Sequence, residues 1–217
     1  CRTGKVSQRF RSSATSGLPY ASGVLSPASA LVTGASGFLG GDLVRALLAA
    51  GVEVHALSRT AHEASDPRLR WWRVDLAEAS EVARVVQTAR PEVIFHLASL
   101  VTGRRELDLV LPAFRDNLAS TVNLLTAAAS TGGCRRIVVA GTMEEADLAS
   151  GEAPSSPYSV AKGAAALYAR FFHALYGLPL VQARIFMAYG PGQQDRKKLI
   201  PYSILEALAG RPPEISR

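Results

Sequence analysis

A glycine-rich turn near the amino end most constrains what this chain can fold into. The segment 32–40 reads VTGASGFLG, and it follows a short apolar run and precedes a helical apolar period at 38–50. Gly34, Gly37 and Gly40 permit a tight turn and a close backbone approach, and the free N–H groups of the helix start then face an anion. A lone glycine triplet is weak support, because glycine also occurs in ordinary turns. Between a strand and a helix it predicts dinucleotide binding.

Apolar runs and amphipathic segments alternate along the rest of the chain. Strands are predicted at 30–33, 52–57, 70–74, 93–97, 136–140 and 180–186. Helices are predicted at 38–50, 80–89, 108–130 with a break near Pro112, 157–176 and 199–208. The run 93–97 is apolar on both faces, as in a buried parallel strand. This alternation predicts an α/β fold, a doubly wound parallel sheet with helices on both faces.

The distribution of charge argues against a nucleic-acid partner. The net charge is +6, but four of the 24 basic residues lie in 1–29 without any acid, which leaves 20 against 18 acidic residues. A nearly neutral body gives no basic face for nucleic acid. No apolar run approaches the roughly 18 residues of a membrane span, so no membrane partner is expected. We expect residues 1–29 to be a disordered leader or tail, with a transit peptide as an alternative, and 30–217 to be the folded domain.

Cysteine and histidine usage gives neither a disulfide framework nor a metal site. Cys1 and Cys134 are too few for either a framework or a four-thiolate zinc site. The four histidines lack metal-ligand spacing, and they are His55, His62, His96 and His173. We therefore expect no metal, and a reducing, cytoplasmic location.

The end of the second predicted strand normally discriminates NAD from NADP. An acidic residue there would bind the ribose 2′-hydroxyl, whereas this chain has Leu57-Ser58-Arg59. A guanidinium can pair with a 2′-phosphate, so Arg59 favours NADP, with NAD as the alternative cofactor. A solvated surface arginine is the other interpretation of Arg59. Asp75, after the third strand, can accept the adenine amino group or cap a helix.

A Tyr-x-x-x-Lys pair lies on the long helix predicted at 157–176. Tyr158 and Lys162 are four residues apart and therefore share one face. A neighbouring ammonium, together with the positive nicotinamide of an oxidised cofactor, favours the phenolate. The tyrosine can then exchange a proton with a sugar hydroxyl or ketone. Thr142, directly after the fifth strand, can orient the reacting oxygen, and the alternative is a turn or capping residue.

In combination, these motifs resemble an extended short-chain dehydrogenase/reductase of the NAD-dependent epimerase/dehydratase family. The resemblance runs from about Ala30 to Pro213. The segments that carry it are the turn 33–40, Phe95-His-Leu-Ala98, Asn117 to Thr121, Thr142, the Tyr158 and Lys162 pair, and RIFMAYGPG at 184–192. It implies a Rossmann-like domain, a nicotinamide cofactor and a nucleotide-sugar substrate.

The residues expected to contact the cofactor lie in the turn, at strand ends and on the long helix. They are Gly34, Ser36, Gly37, Phe38, Leu39, Arg59, Asp75, Leu76, Leu97, Ala98, Ser99, Asn117, Tyr158, Lys162 and Phe186. By the resemblance, Leu97, Ala98 and Ser99 line the cofactor. Asn117 supports the sheet and the active site, and Phe186 lies near the nicotinamide. The expected catalytic set is Thr142, Tyr158 and Lys162.

Three departures from the family pattern bear on the activity that the resemblance implies. Sugar dehydratases of the family place Asp-Glu directly after the catalytic threonine, whereas Met143-Glu144 follows Thr142 here. A thioether cannot protonate a leaving hydroxyl, so water elimination is disfavoured. Met187 stands where the family usually has Asn or Asp, which removes a polar contact to substrate. Family members also usually continue further, so we expect the C-terminal substrate part to be largely missing from these residues.

The hypothesis that follows is an NADP-dependent enzyme acting on a nucleotide-linked sugar, most specifically one that reduces a 4-keto sugar. The alternatives are a nucleotide-sugar 4-epimerase that retains its cofactor and a non-catalytic, cofactor-binding regulator. Because the Tyr-bearing helix often forms the dimer in this family, we expect a homodimer through Leu167, Phe171 and their neighbours.

Overall fold

A computed structural model of the chain describes residues 27–145 and 153–214. Six parallel strands form one sheet in the order β3-β2-β1-β4-β5-β6. The strands are β1 (Ser29–Thr33), β2 (Glu53–Ser58), β3 (Leu69–Arg73), β4 (Val93–His96), β5 (Arg136–Thr142) and β6 (Leu180–Ile185). The helices are α1 (Phe38–Ala49), α2 (Ala79–Ala89), α3 (Val110–Ala113), α4 (Ser120–Thr131), α5 (Pro157–Tyr176) and α6 (Leu199–Leu208). The predicted doubly wound parallel sheet is confirmed.

The strand order reverses between β1 and β4, and this reversal positions the site. β1 lies in the middle of this order and pairs in parallel with β2 on one side and with β4 on the other. In an open parallel sheet a crevice forms at such a switch point, beyond the carboxyl ends of the strands. The glycine turn follows β1 and therefore lies at this crevice.

The core has two layers because successive strand residues point to opposite faces of the sheet. Leu31 packs on one face with Ile94, Leu124 and other buried side chains beneath α2 and α4. Val32 packs on the other face with Val44 of α1. Covering both faces with helices explains why these strands are apolar along most of their length.

The predicted helix at 108–130 is interrupted more than the sequence indicated. A 3₁₀ turn at Leu107–Leu109 leads into α3, and a π-helical turn at Phe114–Ala119 separates α3 from α4. Pro112 lies inside the first turn of α3, where its missing N–H is tolerated. The π-helical turn buries Asn117 under the crevice, and such turns are frequent at functional sites.

Helix α5 has clear start and stop signals, and they fix its register. The Ser156 hydroxyl accepts the Ser159 N–H at 3.1 Å, and Pro157 occupies the first turn. Gly177 ends the helix in the left-handed region, with φ of 66°. The predicted bounds of 157–176 are therefore confirmed, and Tyr158 and Lys162 lie near the amino end of the helix.

Strand ends differ from the prediction by one or two residues. β1 begins at Ser29, whose hydroxyl accepts the Glu92 N–H at 3.2 Å. β5 continues to Thr142 because residues 137–142 all pair with β6. β6 ends at Ile185 rather than at Phe186, since Met187 takes a left-handed φ of 35° and turns the chain away. Of the predicted leader, residues 1–26 lie outside the described residues.

Candidate active site

The three glycines of the turn are required for two different reasons. Gly34 has φ of 65°, and a Cβ there would lie 2.8 Å from the Ala98 nitrogen. A Cβ on Gly40 would overlap the Gly34 carbonyl. Gly37 has φ of −81°, which any residue adopts, and its Cβ would touch only the Gly34 oxygen, at 3.2 Å. Gly34 and Gly40 therefore pack backbone against backbone, whereas Gly37 keeps the amino end of α1 open.

This open helix end fits the pyrophosphate of a dinucleotide. The first N–H groups of α1 have no intrahelical acceptor, and the cap residue Gly37 offers no side chain to fill their place. A helix amino end carries partial positive charge, which favours a phosphate there. Because Gly37 has no side chain, an anion can approach the free N–H groups at the amino end of α1 closely.

A first cavity of about 410 Å³ extends from the turn across the ends of β2, β3 and β4. Nine of the predicted cofactor residues line it, namely Gly34, Ser36, Gly37, Arg59, Asp75, Leu76, Leu97, Ala98 and Ser99. Leu57, Ser58 and Val74 complete much of its wall. The size and the mixed apolar and polar wall suit the adenosine half of a dinucleotide.

Arginine and aspartate side chains alternate along the rim of this first cavity. Arg59 lies 3.2 Å from Asp116, and Arg115 contacts both Asp116, at 3.2 Å, and Asp75. The pKa of Asp75 is lowered: burial acts to raise it, but the Ala77 N–H and Arg115 together outweigh burial. Asp75 Oδ1 therefore accepts a hydrogen bond in the turn after β3 and still faces the cavity, whereas the N-cap residue of α2 is Glu78 and not Asp75.

A second cavity, of about 760 Å³, adjoins the first and contains the predicted catalytic set. Thr142, Tyr158 and Lys162 line it together with Phe38 and Leu39. Leu97, Ser99 and Val101 line both cavities, so one cleft runs from the end of β3 to the end of β6. Lys198, from a basic run that the sequence places at a helix entry, also faces this cavity.

Two predicted cofactor residues lie outside the described walls of both cavities. Asn117 is 1% exposed and stands behind the wall. Its Oδ1 accepts the Ser99 hydroxyl and the Leu100 N–H, each at 2.8 Å, so it holds the wall in place. Phe186 is 62% exposed, because the turn at Met187 directs the chain outward. Ile185 and Met187 line the second cavity in its place.

The predicted catalytic set is buried, and this burial changes the expected electrostatics. Burial raises the pKa of Tyr158, the hydroxyls of Thr142 and Ser99 oppose it, and the Glu144 and Glu145 carboxylates raise it again. Lys162 donates a hydrogen bond to the Ala140 carbonyl, and burial lowers its pKa. The sequence predicted that the ammonium, together with an oxidised nicotinamide, would favour the phenolate. The protein's own residues alone raise the pKa of Tyr158 and so favour the neutral phenol.

A buried histidine anchors the wall between the two cavities. Thr33 Oγ1 accepts the Leu97 and Ala98 N–H groups, each at 3.1 Å, and so donates its own proton to His96 Nδ1 at 2.8 Å. His96 Nε2 lies 2.9 Å from the Thr121 hydroxyl. Burial, and then the Lys162 charge, lower the pKa of His96 to about 3, so this histidine is neutral. His96 is therefore a supporting residue of the wall.

Glu145 is the functional candidate that sequence reasoning missed. Its side chain is 5% exposed although it lies in the loop after β5. Its partners include the Thr142 backbone and two residues of β6, and no spacing signal in the sequence connects them.

Neither metal chemistry nor a membrane span is indicated by the described part of the chain. Within 27–145 and 153–214, His, Cys, Asp and Glu side chains form no group of three or more that could hold a metal ion. No helix in the same two ranges has the length and apolar character to cross a bilayer.

Comparison with known proteins places these features in a family. The family model described as NAD dependent epimerase/dehydratase matches residues 30–216. The dTDP-glucose 4,6-dehydratase of Neisseria gonorrhoeae is 31% identical over 210 residues, with 84% of this chain and 60% of the relative covered. The UDP-glucose 4-epimerase of Mycolicibacterium smegmatis is 30% identical, with 85% and 64% covered. The chain thus spans about three fifths of the length of these two relatives.

Solved structures show the same relationship. The UDP-glucose 4-epimerase of Thermus thermophilus, in complex with NAD, superposes with a TM-score of 0.70 at 30% identity, over 85% of this chain and 64% of that one. The dTDP-glucose 4,6-dehydratase DesIV of Streptomyces venezuelae, with NAD bound, gives 0.67 at 30% identity, over 84% and 62%. With the fold, the glycine turn and the sequence relatives in agreement, this chain belongs to the NAD-dependent epimerase/dehydratase family.

Proposed function

We propose that this chain carries the cofactor-binding and catalytic part of an NAD(P)-dependent oxidoreductase acting on a nucleotide-linked sugar. The observation that carries the proposal is the single cleft that joins the glycine turn to Thr142, Tyr158 and Lys162. A bound nicotinamide dinucleotide would supply hydride transfer at the sugar. The relatives named above are nucleotide-sugar dehydratases and epimerases, which supports the substrate class.

Each residue of the catalytic set has a role that its position supports. Tyr158 is the proton donor or acceptor at the reacting sugar oxygen. Burial raises its pKa, so the phenol keeps its proton until it transfers that proton to the sugar oxygen. Thr142 orients the same oxygen through its hydroxyl. Lys162 is buried beside them, where its ammonium can balance negative charge on Tyr158 and hold a cofactor ribose.

The specific reaction that we propose is reduction of a 4-keto nucleotide sugar. Tyr158 would donate its proton to the carbonyl oxygen of the sugar as the carbonyl carbon accepts hydride. This reduction therefore requires only one acid. Met143 lines the second cavity where sugar dehydratases of the family place an aspartate. Its thioether donates no proton to a leaving hydroxyl, which counts against water elimination.

Epimerisation at C4 is the second candidate, and it is favoured by the UDP-glucose 4-epimerases among the similar proteins, such as those of Mycolicibacterium smegmatis and Thermus thermophilus. It uses the same set of residues but oxidises and then re-reduces one carbon. A regulator that binds cofactor without catalysis is disfavoured, because all three catalytic side chains are present and gathered in one cavity.

A cofactor-balance experiment separates these candidates. A chain that includes a C-terminal substrate part like that of the longer relatives is incubated with NADPH or NADH and a set of 4-keto nucleotide sugars, and separately with UDP- and dTDP-hexoses. Net loss of reduced cofactor identifies a reductase, and interconversion of hexoses without net loss identifies an epimerase. If the protein binds cofactor but shows neither reaction under any of these conditions, the catalytic proposal is contradicted. The Tyr158→Phe variant controls for contaminating enzymes.

We further propose that NADP is the preferred cofactor. Arg59 lines the adenosine end of the cleft, and the end of β2 has no carboxylate for a ribose 2′-hydroxyl. NAD is the alternative, since the similar structures of Thermus thermophilus and Streptomyces venezuelae contain NAD.

A cytoplasmic homodimer completes the proposal. Leu167, Phe171 and Leu175 recur along one side of α5 and are exposed, and Tyr168 and Tyr176 extend this apolar surface. Sedimentation of wild type and of Phe171→Glu tests the dimer. A wild-type protein that remains monomeric at high concentration would contradict it.

A further inference from the structure

Glu145 is a buried carboxylate that the proposed reaction does not use. Its Oε1 accepts the Thr142 N–H at 2.9 Å, and both of its oxygens accept from Gln182 Nε2 at 2.8 Å. Arg184 Nε lies 3.4 Å from its Oε2. Gln182 and Arg184 are two residues apart on β6 and so present their side chains on one face. A loop carboxylate with this many donors is held firmly in one place.

The space that Glu145 occupies depends on a neighbouring glycine. A Cβ on Gly141 would collide with the Glu145 Oε1 and crowd Gln182 Nε2, at 3.1 Å. Gly141 has an ordinary strand conformation, so the backbone itself does not demand glycine there. The missing side chain therefore makes room for the carboxylate, directly before the residue that orients the reacting oxygen.

We propose that Glu145 is a positioning residue of the catalytic site, which clamps the end of β5 to fix Thr142 and sets a buried negative charge opposite the Tyr158–Lys162 pair. The inference rests on the proposed roles of those residues. The clamp is the hydrogen bond from the Thr142 N–H to the Glu145 carboxylate. The Thr142 hydroxyl in turn accepts the Glu144 N–H at 3.3 Å.

The charge of Glu145 changes the pKa values of Lys162 and Tyr158 in a direction that can be measured. It acts to raise the pKa of Lys162, against burial, and it adds to the raised pKa of Tyr158. The other titratable and charged groups around the pair are Glu144 after β5, His96 on β4 and Arg184 on β6. Glu144 acts on Tyr158 in the same sense, but it is exposed to solvent.

Two variants separate the clamp from the charge. Glu145→Gln keeps an oxygen for the Thr142 N–H, and Gln182 can rotate its amide to accept from the new NH₂ group, so the clamp survives without the charge. Glu145→Ala removes both. Glu144→Gln is the matched control, since it removes an equal charge from an exposed neighbour whose field is screened by salt.

Both readouts are independent of turnover, so failure of this inference is distinguishable from failure of the proposed enzyme. The first is the ultraviolet absorption titration of Tyr158, obtained by difference against Tyr158→Phe in each background. We expect the midpoint to move to lower pH in Glu145→Gln and to stay there in high salt, whereas any shift in Glu144→Gln fades with salt. An unchanged midpoint in Glu145→Gln overturns the charge role.

The second readout is hydrogen exchange at the Thr142 amide under neutral conditions. Loss of a hydrogen bond to a charged group makes exchange at least about tenfold faster in Glu145→Ala, with near wild-type exchange in Glu145→Gln. If Glu145→Ala does not fold, Gln182→Leu, which removes the Nε2 donor to both carboxylate oxygens, must show the faster exchange. Wild-type protection of Thr142 in the folded variant overturns the clamp.

Discussion

The Arg59 guanidinium and the Asp116 carboxylate pair at 3.2 Å on the rim of the cavity that adjoins the glycine turn. The arginine side chain is 69% exposed. Exposed ion pairs contribute only about 0–1 kcal/mol, so a 2′-phosphate can displace Asp116 from Arg59. The pair therefore holds Arg59 near the adenosine end of the cleft without blocking it.

Replacing Arg59 should weaken NADP binding selectively. A charge-assisted contact to the 2′-phosphate contributes roughly 1.5–3 kcal/mol, so Arg59→Ala should lower NADP affinity by about one to two decades and leave NAD affinity almost unchanged. Calorimetric dissociation constants for both cofactors measure this. Asp116→Asn is the matched variant, and it should raise NADP affinity by removing the competing carboxylate. Equal affinities of the wild-type protein for NAD and NADP would count against the preference.

A bulky residue at Gly37 should abolish cofactor binding without unfolding the protein. The backbone at Gly37 suits any residue and its Cβ meets only one backbone atom, so Gly37→Val places methyl groups in the pyrophosphate position. Cofactor affinity should fall by at least about tenfold, which corresponds to about 1.4 kcal/mol. Gly34→Ala is the contrasting control, because its Cβ meets the Ala98 backbone and should lower the melting temperature itself. Unchanged affinity in folded Gly37→Val would refute the phosphate site.

Protonation of His96 should destabilise the fold in mild acid. Its pKa is about 3 in the folded chain, against 6.5 for an unperturbed histidine, so only the unfolded chain binds the extra proton between these values. The free energy of unfolding should therefore fall as the pH drops below about 6.5, by up to roughly 1.4 kcal/mol per pH unit from this one group. Urea denaturation at several pH values measures the slope. His96→Gln should show a shallower slope, and identical slopes would show that His96 is not the titrating group.

Much of this fold could be predicted because its signals are local in sequence. The turn glycines follow β1 directly, and the caps of α5 lie within three residues of its ends. The alternation of strands and helices then leaves few topologies for a parallel sheet. The interruption at Phe114–Ala119 was not predictable beyond the break near Pro112, because a π-helical turn depends on what it packs against.

The sequence predicted only those residues of the candidate site that belong to a recognisable motif. The predicted catalytic set lies in one cavity, and its roles remain predictions. The pairing of Arg59 with Asp116 spans 57 positions, and that of Glu145 with Gln182 spans 37. No periodicity connects such residues, so only the folded sheet brings them together. The position of Phe186 outside both cavity walls was not predictable for a similar reason, because the left-handed turn at Met187 is made without a glycine.

Removing the Tyr158 hydroxyl should separate catalysis from binding. Tyr158→Phe keeps the buried ring and loses only the acid, and general acid–base catalysis contributes about 10²–10⁴-fold, so turnover should fall at least about a hundredfold with cofactor affinity nearly intact. Thr142→Val should lower turnover less, because it orients the oxygen without transferring a proton. Lys162→Ala should impair both turnover and cofactor binding. Initial rates with a 4-keto nucleotide sugar, in a chain that includes its substrate part, and calorimetry with the cofactor measure the two effects. If Tyr158→Phe keeps more than about a tenth of wild-type turnover, the tyrosine is not the acid.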